Sequence, residues 1–234
     1  MTSPGASRPE VVVVIVAAGA GARAGPGEPK QFRPIHGVPM LLRTLRPFTS
    51  HPDVGHVVVA LPAGFETRPP DWLAKLVGER LTLVAGGATR AQSVRAGLRA
   101  LPELIGIVLI HDGARPFVTR DTIDGVLDKA RAGVGAVAAI PLSDTVKDVE
   151  QERITKTVAR NRLWRAQTPQ GFPRAMIERA YAGLASGDAA PTDDAELCER
   201  AGLPVEVVPD SPYNLKVTTA DDFRIAEALA RELR

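Results

Sequence analysis

Cys198 is the only cysteine in 234 residues, so the chain can form no disulfide within itself and holds no cysteine pair for zinc or redox work. Such scarcity fits a reducing, cytoplasmic setting. An excess of one charge is also missing. Lys and Arg number 29 against 27 Asp and Glu, a formal net of +2, which argues against a broad nucleic-acid or membrane-charge footprint and makes any anion site local. No stretch approaches the ~18 consecutive apolar residues of a membrane-crossing helix. The apolar run Val11 to Val16 behind Arg8, with small residues after it, has the outline of a secretory signal, but it is short and β-branched and reads as a strand. Repeats and low-complexity tracts are absent. With 44% hydrophobic and 24% charged residues the composition is that of an ordinary globular chain, neither disordered nor fibrous.

What is present is an alternation. Short runs rich in Val and Ile (11–16, 56–61, 81–84, 107–110, 134–140, 205–208) predict strands, and amphipathic stretches between and after them (39–48, 90–101, 120–131, 173–185, 220–233) predict helices. The fold class is therefore α/β. Strands apolar at every position predict a mostly parallel sheet flanked by helices, with ligands at the strands' C-terminal ends. Residues 1–10 read as a flexible tail and 11–234 as a single domain. One segment breaks the rhythm: Thr145 to Val149 and Ile154 to Val158 alternate as two short strands around Glu150 to Arg153. This predicts a β-hairpin within an arm at about 142–162, too small to be stable alone.

The first strand runs into Ala17-Ala18-Gly19-Ala20-Gly21-Ala22-Arg23, where small residues let backbone N–H groups approach phosphates. Gly19, Gly21 and Ala24 also satisfy a dinucleotide pattern, yet Pro26 and Pro29 interrupt the helix that should follow, and the ribose-binding acid is missing. No Gly-Lys-Ser/Thr follows either. What remains is a glycine-rich cradle with Arg23 and Lys30 at its mouth, suited to phosphoryl or nucleotidyl transfer, where negative charge must be neutralised. The plain alternative is two solvated loop charges. Asp112, at the end of the apolar run 107–110, is placed to hold Mg²⁺ against a triphosphate, or else to pair with Arg115. Gly86 to Ser93 opens a helix and permits close approach to a base or ribose, although a simple helix N-terminus explains it nearly as well.

Eight segments in order, AAGAGAR at 17–23, PKQF at 29–32, GGATRAQSV at 86–94, HDGARP at 111–116, DTVK at 144–147, ARNRLWRAQTPQ at 159–170, TDD at 192–194 and NLKVT at 214–218, resemble the 2-C-methyl-D-erythritol 4-phosphate cytidylyltransferase family. The resemblance implies a Rossmann-like nucleotidyltransferase fold with a protruding β-hairpin dimerisation arm. It also implies transfer of CMP from CTP to methylerythritol phosphate, releasing pyrophosphate, in isoprenoid precursor synthesis. By the same resemblance Arg23 and Lys30 stabilise the pentacoordinate α-phosphate, and the backbone of Ala17, Ala18, Gly19, Ala20 and Gly21 cradles the triphosphate. Gly87, Ser93, Asp112 and Ala114 surround the cytidine and metal, with Asp112 the Mg²⁺ ligand, other divalent cations being possible. Arg160 and Lys216 position the acceptor, and Thr145, Thr168 and Thr192 contact it. Thr145 and Arg160 flank the arm, so the resemblance implies that they serve a partner subunit of a homodimer. Neither nucleic acid nor membrane is an expected partner.

An ionised phosphate monoester needs alignment and charge neutralisation and no general base, so His111 reads as a structural strand-end residue. Departures from the commoner family pattern are Gly113 for Ala, Ala88 for a polar or acidic residue, and Ser211-Pro212-Tyr213 before Asn214. They leave Asp112 as the one acid assigned to the metal. Two alternatives stand beside this reading: a cytidylyltransferase for another polyol phosphate, such as ribitol 5-phosphate, and a catalytically idle nucleotide-binding module.

Overall fold

The computed structural model describes residues 10–19, 28–102, 105–185 and 189–233; the expected N-terminal tail, but for residue 10, lies outside the described residues. The chain opens with β1 (Glu10–Val16), then the two-residue strands β2 (Pro34–Ile35) and β3 (Val38–Pro39), α1 (Met40–Thr49), β4 (Val54–Leu61) and the short α2 (Asp71–Ala74). Next come β5 (Leu81–Ala85), α3 (Arg90–Arg99), β6 (Ile105–Asp112), α4 (Arg120–Arg131) and β7 (Gly135–Pro141). A hairpin of β8 (Val146–Glu150) and β9 (Arg153–Val158) leads to β10 (Trp164–Pro173), α5 (Arg174–Ala182), α6 (Asp194–Arg200), β11 (Val205–Pro209) and α7 (Ala220–Glu232).

Seven strands form one sheet in the order β11-β7-β10-β6-β1-β4-β5. Only β10 runs antiparallel to its neighbours. Along β1, Val11, Val13 and Ile15 pack with Leu41, Leu45 and Phe48 of α1 and with Ile123 and Val126 of α4, while Val12 and Val14 pack with Val94 of α3 and Ile177 of α5. Successive side chains leave a strand on opposite faces, so a strand apolar at every position is one covered on both sides. The sheet is mostly parallel and helix-flanked, as the apolar runs predict.

Strand β1 pairs with β4 on one side and β6 on the other, so the chain reverses its direction of travel across the sheet there. Such a switch point leaves a crevice beyond the strands' C-terminal ends. The crevice is lined by the residues that follow Val16 and by those at Asp112.

Besides the short β2, β3 and α2, two longer elements, β10 and α6, are absent from the sequence expectation. WRAQTPQGFP, the sequence of β10, has no apolar periodicity, yet Gln167, Thr168 and Gln170 are buried in the sheet, where the Asn214 carbonyl, His111 and Asp193 respectively give them hydrogen-bond partners. Helix α6, DAELCER, is seven residues long and too short for a helical period to show. The hairpin turn is also tighter than expected. Only Gln151 and Glu152 lie between the strands, both at positive φ (47° and 65°), as a two-residue primed turn requires.

Candidate active site

Loops from five parts of the chain line a cleft of ≈ 590 Å³ at the switch point: Ala17–Gly19, Lys30–Gln31, Gly87–Arg90, Asp112–Ala114 and the segment holding Lys216 and Thr218. Sheet hydrogen bonding continues into the loops, with the amides of Ala17, Gly86 and Gly113 donating to the carbonyls of Ala60, Leu61 and Val16. Gly86 must be glycine, because a Cβ there would sit 2.3 Å from that of Ala18. The Gln31 amide donates to the Ala17 carbonyl at 2.9 Å and ties the first loop down from the other side.

The loop before α3 is held by its own side chains. Thr89 caps the helix in a capping box with Gln92. Gln92 Oε1 accepts from the amide of Ala88 and Ser93 Oγ from that of Gly87. These bonds engage the amides of Gly87 and Ala88 within the loop, and the Gly87 carbonyl accepts in turn from Ser93 Oγ at 3.4 Å, so the loop is held in place before a ligand arrives.

Asp112 lies at the centre of the charge. Arg90 Nε stands 3.2 Å from one carboxylate oxygen, and Lys216 Nζ (2.8 Å) and Arg115 Nε (3.6 Å) from the other. Burial would raise this carboxyl, but Arg90, Lys216 and Arg115 outweigh it and hold the group well below the usual carboxylate range. Asp112 is therefore ionised at any working pH. Lys30 is close by, its ammonium donating to the Val217 carbonyl at 2.9 Å, one residue from Lys216.

The structure brings together Ala17, Ala18, Gly19, Lys30, Gly87, Ser93, Asp112, Ala114 and Lys216 on one cleft. Ala20, Gly21 and Arg23 lie outside the described residues. Thr168 is buried behind Asp112 instead of lining the cleft; its hydroxyl accepts from the Asp112 amide at 3.0 Å. Thr192 is exposed, and both its amide and its hydroxyl donate to Glu196. Thr145 and Arg160 are exposed at the feet of the hairpin and do not line the cleft of their own chain. His111 is fully buried against the Phe48 ring, and burial holds its imidazole down to about 4, so it is neutral.

Arg90 is the functional candidate that sequence reasoning missed. It bridges Asp112 and the fully buried Asp194, whose carboxylate lies 2.7 Å from Arg90 Nη2 and also accepts from the Tyr181 hydroxyl at 2.6 Å. A signal was available: Arg90 is the first residue of α3, where the helix dipole disfavours a cation, so an arginine there needs acidic partners from elsewhere.

The family pattern of 2-C-methyl-D-erythritol 4-phosphate cytidylyltransferase (IspD) matches residues 11–232. The chain belongs to this family. It is thus a cytidylyltransferase, and the family's reaction is the CTP-dependent synthesis of diphosphocytidyl-methylerythritol in isoprenoid biosynthesis. The enzyme of that name from Syntrophus aciditrophicus is 41% identical over 232 residues, covering 96% of this chain and 97% of the relative. The one from Streptomyces coelicolor is 44% identical over 241 residues, covering 98% and 88%. The crystal structure of the Thermus thermophilus enzyme superposes with a TM-score of 0.78 at 37% identity, covering 95% of this chain and 99% of that one.

Nucleotidyltransferases generally use a divalent cation, and the donor set of this cleft allows one narrow way to hold it. Among the described residues no group of three or more acidic, His or Cys side chains converges, and Asp112 is the one carboxylate lining the cleft. A closed protein cage is therefore not available. One permanently ionised carboxylate does fit Mg²⁺ that draws its remaining ligands from phosphates and water. Of the three cations around Asp112, Lys216 has the most exposed side chain, 42%, and is the one free to give way.

Proposed function

We propose that this cleft transfers CMP from CTP to 2-C-methyl-D-erythritol 4-phosphate, and that the residues converging on Asp112 carry the reaction. The supporting observation is the convergence itself: a glycine-rich loop, Lys30, Lys216, Arg90 and one buried carboxylate meet at the switch point of a parallel sheet. In this reading the loop at Gly87 and Ala88 serves the base, and the backbone of Ala17 to Gly21 serves the triphosphate. Lys30 and Arg23 neutralise the α-phosphate as it becomes pentacoordinate; charge that develops only in the transition state is where fixed cations lower a barrier. Asp112 would hold Mg²⁺, which when bound supplies charge neutralisation to the phosphates. Lys216 then turns to the acceptor phosphate. The acceptor needs no base, because its phosphate oxygen is already ionised and has only to be aligned.

Arg160, Thr145 and Thr192 complete the acceptor side, with Thr145 and Arg160 supplied by the hairpin of a second copy. This makes the working unit a homodimer in the cytoplasm, with no nucleic-acid or membrane partner; among the described residues no helix is long and apolar enough to cross a membrane.

The test is pyrophosphate release with Mg²⁺ and each of CTP, ATP, GTP and UTP, with and without methylerythritol phosphate, and with ribitol 5-phosphate as rival acceptor. Release should require CTP and methylerythritol phosphate together. Lys30→Ala and Arg23→Ala should each lower kcat by roughly 100- to 1,000-fold with the circular dichroism spectrum unchanged. Preference for ribitol 5-phosphate would replace the acceptor, and near-normal turnover in either variant would remove the assigned role.

A further inference from the structure

Strand β6 is paired with β1 as far as Asp112, opposite Val16, but with β10 only as far as Ile110, opposite Gln170. Beyond that last pair the β10 backbone diverges, and the Asp112 amide has no ladder carbonyl to meet. The Thr168 side chain takes its place: the amide donates to Thr168 Oγ1 at 3.0 Å. A hydroxyl has one proton and can turn, so something must decide which way it points. His111 Nε2 lies 3.0 Å from the Arg115 carbonyl, and a carbonyl only accepts, so Nε2 carries the ring proton. In the neutral ring Nδ1 is then an acceptor, 3.0 Å from Thr168 Oγ1, and it takes the hydroxyl proton. This leaves the Thr168 lone pair facing the Asp112 amide. The relay is closed to solvent, with His111 fully buried and Thr168 at 4% exposure. It is anchored from behind as well, since the Thr168 carbonyl accepts from Asn214 Nδ2 at 2.8 Å and the Asn214 carbonyl from Arg115 Nη1 at 2.7 Å.

We propose that His111 and Thr168 are positioning residues for the reaction: the chain from the Arg115 carbonyl through His111 and Thr168 to the Asp112 amide fixes the carboxylate that gathers Arg90, Arg115 and Lys216. The inference rests on the assignment of Asp112 to nucleotide and metal made above. It also replaces the acceptor contact that the family resemblance implies for Thr168, because the hydroxyl's proton is committed to His111 and it faces the Asp112 amide instead of the cleft. A carboxylate displaced by about an ångström carries its three cations with it, and errors of that size cost on the order of 100-fold in rate.

The experiment is steady-state kinetics on Thr168→Val, Thr168→Ser and His111→Phe, with Mn²⁺·CTP affinity measured by calorimetry. Thr168→Val and His111→Phe should each lower kcat by on the order of 100-fold and weaken Mn²⁺·CTP binding, with the acceptor KM unchanged. Thr168→Ser, which keeps the hydroxyl, should restore most of the loss. A raised acceptor KM with kcat retained in Thr168→Val would mean that the hydroxyl touches the acceptor, and overturns the inference. So would parental kcat in both apolar variants. Should those variants fail to fold, ¹⁵N NMR of the unaltered protein decides: protonated Nε2 with an accepting Nδ1 is required, and the opposite tautomer refutes the relay. Asp112→Asn separates the two levels. If it keeps parental turnover, the reading of the site fails; if it is inactive while Thr168→Val is fully active, the positioning role alone fails.

Discussion

Asp112 and Ile154 lie on one chain under opposite conditions. The carboxylate is buried and collects three cations, while the isoleucine, an apolar side chain at the middle of the hairpin, is 63% exposed. Its cross-strand partner Val149 is 51% exposed. Among the described residues each charged side chain lining the cleft meets an answering group from the same chain, and Gly86 stands where loops touch. At the hairpin Val149 and Ile154 face each other across an isolated two-stranded sheet, half or more exposed, and such a sheet is marginal in water. The nucleotide side of the cleft draws its charged partners from its own chain, whereas the hairpin holds its apolar side chains out to solvent. Thr145 and Arg160, at the hairpin's feet, are exposed as well.

The largest effect expected from breaking this contrast is at Arg90. Arg90→Leu leaves Asp194 buried and unpaired and should cost about 3–5 kcal/mol of stability in urea unfolding. The double variant Arg90→Leu, Asp194→Leu should recover most of that stability, since apolar replacements of a buried pair are tolerated, yet remain poorly active because Asp112 has lost its Nε partner. Recovery of both stability and turnover would confine Arg90 to the core. A smaller effect is expected at the hairpin. Val149→Ser with Ile154→Ser should shift the proposed dimer to monomer in light scattering, at roughly 2 kcal/mol of lost association per side chain, while the sheet's circular dichroism is retained. An unchanged oligomer would show that this face is not the interface.

The smallest effect concerns the turn itself. The β2–β3 connection uses His36 and Gly37 at φ 47° and 72°, and the β8–β9 connection uses Gln151 and Glu152 at nearly the same angles without a glycine. A left-handed non-glycine residue costs about 1 kcal/mol, so Glu152→Gly should slow amide exchange along β8 and β9 by several-fold without moving the thermal midpoint of the rest. Faster exchange in that variant would contradict the strain at Glu152.

The legible parts of the chain were those whose information is local. The runs at 11–16, 56–61, 81–84 and 107–110 are strands, and the helices at 90 and 120 begin within a residue of their capping threonines, because period and cap are set within a few neighbours. β10 was illegible for the converse reason. Its buried Gln170 is satisfied by Asp193 and by the amides of Asp194 and Ala195, more than twenty residues on, so no neighbour in sequence announces that polar residues can be buried there. Arg90 was overlooked within a motif that was otherwise read, since its role lies in partners on β6 and α6.

By itself, then, the sequence determined an α/β chain, the glycine-rich loop, the family motifs and the residue types able to neutralise phosphate, all of them patterns carried by short spans. Tertiary structure alone decided that Arg90 spans two carboxylates, that Thr168 stands behind Asp112 and faces away from the cleft, and that Val149 and Ile154 of the hairpin stand exposed. These are matters of which distant groups meet and which water is kept out. Ion pairing and hydrogen-bond direction depend on burial and on partners far along the chain, and neither is written in local spacing.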